Sequence, residues 1–260
     1  MSATTVSVIL KDYLYKLAKE GKRQDGRTLD SYREIEITPG VIDSAEGSAK
    51  VKIGNTLVYA GIKMQIGTPY PDTPASGVIS TSAELLPIAH PDFEAGPPDE
   101  SAIELARVVD RGIRESGIVQ LDKLCITPNE KVWMCYIDLH IIDHDGNLFD
   151  ACSLAALAAI YNTTVPNARF ELGEDCPLPL LPEPPISCTF VKYGGIIVAD
   201  PAIEEEQVAE ARITVATDEK GDIRAMQKGL NGTFTFSEIK EVIKMTQDKG
   251  AQIRKMLKKA

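Results

Sequence analysis

From Trp133 to Tyr161 the chain reads WMCYIDLHIIDHDGNLFDACSLAALAAIY. This stretch limits the possible fold more than any other, because it joins a strand, a turn and a buried helix with no spacer. Trp133, Cys135, Ile137, Leu139 and Ile141 alternate with Met134, Tyr136, Asp138 and His140, the period of two expected of a strand with one apolar face. Asp145-Gly146-Asn147 predicts a turn, and Asp150 reads as the N-cap of a helix over 151–160. That helix carries five alanines, so its backbone can approach a neighbour closely, and it has little polar surface to show to water. It belongs in the core.

A helix entered from a glycine turn is a common place to hold phosphate, since free N–H groups and the helix dipole both favour an anion. Here Leu148, Phe149 and Asp150 stand where hydroxyls and a cation would be wanted, and the Asp150 carboxylate would repel a phosphate. The strand, turn and helix form a catalytic framework without reactive residues.

At 260 residues, 43% apolar and 25% charged, the chain has the composition of a folded globular protein, as one large domain or two small ones. No apolar run approaches the roughly 20 residues that span a bilayer. Met1 to Leu10 shows neither a charged leader nor a cleavage site, so no membrane association and a cytoplasmic location are expected. Cys125, Cys135, Cys152, Cys176 and Cys188 are odd in number and show no CxxC spacing, and they read as reduced core residues rather than disulfides or zinc ligands. His140, Asp143, His144 and Asp145 carry metal-ligating side chains, but alternation on a strand sends neighbours to opposite faces, so they read as a polar strand end. A net charge of −10 argues against a general nucleic-acid coat and leaves room for a local basic groove.

Val6, Leu10, Tyr13, Leu14 and Leu17 predict an amphipathic N-terminal helix, followed by the polar loop GKRQDGR at 21–27. Ile35 and Ile37 mark a first strand. A hairpin turned at Gly54-Asn55 follows, with Val58, Ala60, Ile62, Met64 and Ile66 on one apolar face. Loops at 67–77 and 87–98 flank a strand over 78–86. Asp99 is the expected cap of a helix over 100–114 whose core stripe is Ala102, Leu105, Ala106, Val109 and Ile113.

On the other edge of that helix Arg107, Arg111 and Arg114 fall in one row. By pattern alone the row is a surface laced to Glu104 and Asp110; the competing reading is a grip on nucleic-acid phosphates. PLPLLPEPP at 177–185 reads as a stiff linker. Beyond it, hairpins are expected across Gly194 and at DEKGD. Thr235 with Glu238 predicts a capping box for a last helix with Ile239, Val242, Ile243, Ile253 and Leu257 inward. The expected organisation is therefore an N-terminal helix and arm (1–30), a first unit (31–176), the linker (177–185) and a second unit (186–260). The class is α+β, two similar layered units with sheets packed on helices and no sequence repeat.

GKRQDGR at 21–27, GSAKVKIGNTLVYAG at 47–61, IELARVVDRGIR at 103–114, DHDG at 143–146, ADPAIEEEQVAEA at 199–211 and MQKGLNGTFT at 226–235 together resemble the RNase PH family over nearly the whole chain. Within it, the chain is most similar to the larger, non-catalytic ring subunits of the archaeal exosome. The resemblance implies an RNase PH-like fold and phosphorolysis, in which inorganic phosphate attacks the last internucleotide bond at an RNA 3′ end. Such a site must hold phosphate, grip the RNA backbone and neutralise charge with Mg²⁺ or another cation.

Active members carry Thr-Arg for phosphate where this chain has Leu148 and Phe149. Their two aspartates, six apart, fall on Asp200 and Glu206, the second one methylene longer than the family pattern. Their tandem arginines fall on about Glu100 and Ser101. The resemblance therefore implies no catalytic residue and no cofactor in this chain, with phosphate and Mg²⁺ expected at an active partner subunit. It also moves Arg107 and Arg111 toward RNA at the partner's site and leaves Arg114 nearer the surface reading. Asp200 and Glu206 read as an acidic loop beside a proline. The expected partners are a catalytic RNase PH-like subunit in a hexameric ring, RNA-binding cap subunits and single-stranded RNA. Two rivals remain: a chain active alone through Asp200 and Glu206, and a scaffold that binds only protein.

Overall fold

A computed structural model of the chain describes residues 8–260, so Val6 of the predicted amphipathic pattern lies outside the described residues. The elements run α1 (Val8–Lys19), β1 (Ile35–Pro39), β2 (Gly47–Ile53), β3 (Thr56–Gly67), β4 (Val78–Leu85), α2 (Glu100–Ser116), β5 (Cys125–Thr127), β6 (Lys131–Asp143) and α3 (Leu148–Tyr161). They continue through β7 (Thr164–Val165), β8 (Cys176–Pro177), β9 (Ile186–Tyr193), β10 (Ile196–Ala199), α4 (Ile203–Val208), β11 (Ala211–Thr217), β12 (Ile223–Gly229) and α5 (Phe236–Leu257).

One sheet is ordered β1-β2-β3-β6-β4, with β5 on the end of β6, a second is ordered β10-β9-β11-β12, and β7 pairs with β8 in a small third. The β2–β3 hairpin closes with Ile53 opposite Thr56, which puts Gly54-Asn55 at the turn. Val58, Ala60, Ile62 and Met64 of β3 pair with Ile141, Leu139, Ile137 and Cys135 of β6, so both apolar faces point the same way. The β9–β10 turn places Gly194 at φ 56° and Gly195 at φ 80°, the left-handed pair that a two-residue hairpin of the right twist requires.

Every residue of α3 from Phe149 to Ile160 is buried. The reason is its place: it packs on β2 and β3 of the first sheet and on β9 of the second, with α2 beside it. One hydrophobic cluster accordingly runs from Val58 and Ile137 through Ala155 to Phe190 and Val215. The sheets pack on helices as expected; this cluster joins the two layers, and a smaller one of Leu14, Ala18, Val191, Tyr193, Val198 and Val208 lies between α1 and the second sheet. The segment 177–185 is strapped down: Leu178 N–H donates to Thr163 O, Gln120 N–H to Pro179 O and Leu181 N–H to Ile118 O. From the far side Arg254 of α5 donates to Pro184 O at 3.1 Å.

Several local expectations are corrected. The cap of α3 is Asn147, whose side chain accepts from Asp150 N–H, so the helix starts three residues earlier than Asp150 suggested. Tyr13 is half exposed, while Leu14 and Ala18 carry the buried face of α1 and Tyr15 stacks on Tyr193. Cys135, Cys152 and Cys188 are buried thiols, but Cys125 is only partly covered and Cys176 is exposed. No helix among the described residues is long and apolar enough to cross a membrane.

Candidate functional site

The turn between β6 and α3 meets the loop after β10. Gly146, at φ 88°, lies so close that a Cβ there would sit 2.4 Å from Pro201 O, so only glycine lets the two backbones touch. This approach brings Asn147 to Asp200. Asp200 is fully buried at φ 47°, and its carboxylate accepts five hydrogen bonds. Three come from Arg33, through N (2.8 Å), Nε (3.0 Å) and Nη2 (2.8 Å). The others come from Arg27 Nη1 (2.8 Å) and Asn147 Nδ2 (2.7 Å). Burial alone would raise this carboxyl, but the Arg33 hydrogen bonds and charge outweigh it and hold it below the ordinary aspartate range. The predicted acidic loop thus holds a sealed, buried anion at Asp200.

Around it sit Arg23, which the sequence did not announce, and two carboxyls it named in other roles, Asp150 and Glu206. Arg23, in the polar loop, is buried: it forms an ion pair with Glu205 and donates to Ala199 O (2.8 Å) and Asp200 O (2.8 Å). Asp150 lies one helical turn beyond Asn147 and accepts from Tyr32 OH (2.7 Å), Asn147 Nδ2 (2.8 Å), Thr189 N (3.0 Å) and Thr189 Oγ1 (2.8 Å). Burial raises its carboxyl to about 6 against these bonds. Glu206 lies on α4, not in a loop, and accepts Asn147 N–H at 2.9 Å. Burial raises it to about 7, against the pull of the Asn147 N–H and of Arg212 and Arg33.

Leu148 is partly buried and Phe149 buried, and the Arg212 guanidinium lies over the Phe149 ring, 4.1 Å from its centroid. Arg212 is itself paired with Glu104 of α2. A phosphate does not fit here: neither Leu148 nor Phe149 can donate from its side chain, and the nearby cation has an ion-pair partner. The start of α2 is also occupied, since Asp99 accepts Ala102 N–H at 2.8 Å and Glu100 adds a negative charge. A divalent cation does not fit Asp200, whose oxygens face two guanidinium groups and an amide. The polar strand end divides as well: His140 faces Glu84 at the surface, His144 stacks on Phe93, and Asp145 accepts from Asn55. Among the described residues no group of three or more His, Cys, Asp or Glu side chains is arranged to hold a metal.

The α2 row separates into three cases. Arg107 is exposed and makes no hydrogen bond or ion pair among the described residues. Arg111 is exposed and donates from Nη1 to Gln227 Oε1 at 2.9 Å. Arg114 is held by Asp110, through Nε to Oδ2 (3.0 Å) and Nη2 to Oδ1 (2.9 Å), and also donates to Ile79 O. Glu104, expected near Arg107, is turned to Arg212 instead.

The fold and this site can be set beside known proteins. The 3′ exoribonuclease family matches in both its parts, domain 1 over residues 31–166 and domain 2 over residues 183–249. The chain belongs to the RNase PH family. Among its RNase PH relatives, the exosome complex component Rrp42 of Methanocella arvoryzae is 52% identical over 257 residues, covering 99% of this chain and 98% of that protein. Rrp42 of Thermoplasma volcanium is 51% identical, covering 97% and 96%. A chain of the Archaeoglobus fulgidus exosome, solved with RNA bound to the active site, superposes with a TM-score of 0.92 at 48% identity, covering 95% of this chain and 97% of its own. The fold is that of RNase PH-like exosome subunits.

Proposed function

We propose that this chain is a non-catalytic ring subunit of an exosome-type, phosphate-dependent 3′–5′ exoribonuclease. In this reading it completes a hexameric ring with a catalytic RNase PH-like partner and presents Arg107 and Arg111 to single-stranded RNA entering the partner's site. Phosphate and Mg²⁺ act at that partner, and RNA-binding cap subunits dock on the ring. The kinship with Rrp42 proteins supports the assembly.

The observation that carries the non-catalytic part is the Asp200 carboxylate, whose five acceptor bonds leave it nothing with which to bind a metal or donate a proton. Loss of the Thr-Arg pair at Leu148 and Phe149 removes the donors that would stabilise the attacking phosphate. Arg107 and Arg111 support the RNA role because no carboxylate cancels them.

The test is phosphate-dependent release of nucleoside diphosphate from single-stranded RNA by the purified chain, by an active homologue, and by the two mixed. The chain alone is expected to be silent. The mixture is expected to be active, and Arg107→Glu with Arg111→Glu is expected to weaken its RNA binding. The slope of log affinity against log salt should fall by about 1.4, at ~0.7 for each single-strand phosphate that is no longer neutralised. Phosphate-dependent activity of the chain alone would make it an enzyme. An unchanged affinity in the double variant would reduce it to a protein scaffold.

A further inference from the structure

The arginines on α2 and beside it differ in what they touch. Arg114 has a carboxylate, Arg212 has a carboxylate, and Arg111 has an amide. Gln227 stands on β12, the edge strand of the second sheet, opposite Thr214 in the β11–β12 register. Helix α2 packs against that strand, so the Arg111–Gln227 bond reaches from the first family domain, 31–166, to the second, 183–249. Beneath it lies a shallow crevice between Val108, Ala216, Ala225 and Met226, which gives the arginine stem an apolar wall.

The chemistry of that acceptor matters. An amide oxygen takes one of the five guanidinium N–H groups and sets the direction of the head, yet leaves the full positive charge and the remaining donors for another anion. A carboxylate in the same place would fix the head equally well and neutralise it.

We infer that Gln227 is the positioning residue for Arg111: it aims the guanidinium for an RNA phosphate while keeping its charge uncancelled, so that packing between the two domains sets the RNA grip. The inference rests on the RNA-gripping role of Arg111 proposed above and adds the residue that orients it. Gln227 itself touches no RNA in this account.

The experiment uses the assembled ring with its active homologue and a fluorescein-labelled single-stranded oligoadenylate, with binding followed across a salt series. Gln227→Leu removes the acceptor and keeps the charge. Affinity should fall about two- to tenfold, the cost of ordering one long side chain on binding, with the salt slope unchanged. Gln227→Glu adds a counter-ion, and both the affinity and the slope should fall, the slope by ~0.7, as for Arg111→Ala. Neither change should move the melting temperature of the ring, and neither should add to the loss when Arg111 is already alanine.

Wild-type affinity in Gln227→Leu, beside a weakened Arg111→Ala, would overturn this inference and leave the RNA role of Arg111 standing. Equal weakening by Gln227→Glu with and without Arg111 would also overturn it, because the carboxylate would then be repelling RNA directly. Unchanged binding in Arg111→Ala and in the Arg107/Arg111 double variant would remove the RNA-gripping role, and with it the need for a positioning residue.

Discussion

Two groups of arginines occupy opposite situations in this chain. Arg23, Arg27 and Arg33, on the segment leading into β1, point inward, and their guanidinium groups meet Glu205 and Asp200. Arg107 and Arg111, on α2, point outward and meet no carboxylate. The residue type is the same, and the counter-charge decides what it does. A cation whose anion lies inside the same molecule organises the fold, whereas one left without an anion is available to a phosphate from elsewhere.

Removing the inner anion should break the comparison most severely. Asp200→Asn takes the main counter-charge from the partly buried Arg33 and Arg27, leaving them only Asp145 and Asp25, and should cost up to about 3–5 kcal/mol, read as the denaturant midpoint of the isolated chain. A stable Asp200→Asn variant would mean that the five bonds hold less than their geometry implies. Smaller, and specific to pH, is the effect of Glu206. Burial raises its carboxyl from 4.5 to about 7, so the folded chain keeps a proton that the unfolded chain gives up. Its contribution is therefore complete below about 4.5 and is lost as pH rises through 7. Glu206→Gln keeps the acceptor for Asn147 N–H and should flatten this decline, recovering up to about 3 kcal/mol near neutral pH. The profile to measure is unfolding free energy from pH 4.5 to 8. Smallest is Arg114→Ala, which removes a largely solvated pair with Asp110 and one bond to Ile79 O and should cost about 1 kcal/mol; RNA affinity of the assembled ring should not change, unlike that of Arg107 and Arg111 variants.

What could be read in the sequence follows from the range of the interactions concerned. The alternation in β3 and β6, the Gly54-Asn55 turn, the Asp99 cap and the Thr235–Glu238 capping box are local, and each is where the pattern places it. The sealed anion is not local. Arg33 lies 167 residues from Asp200 and Arg23 lies 182 from Glu205, so GKRQDGR showed only a polar loop and ADPAIEEE only an acidic one. Asn147 was hidden for a different reason: a left-handed asparagine both turns the chain and caps the helix, and Asp150 looked the better cap because its burial could not be seen. Gln227 carries no charge and no pattern. Only the packing of α2 on β12 brings it to Arg111.

The burial of α3 from every side bears on how such a protein can change over generations. A helix whose front is finished by one sheet and whose back is finished by the other belongs to both halves of the gene at once. A recombination crossover placed in the proline segment would join two halves that had never adjusted to each other across that helix. The two family domains can thus be told apart along the sequence, yet they can be inherited only as a matched pair.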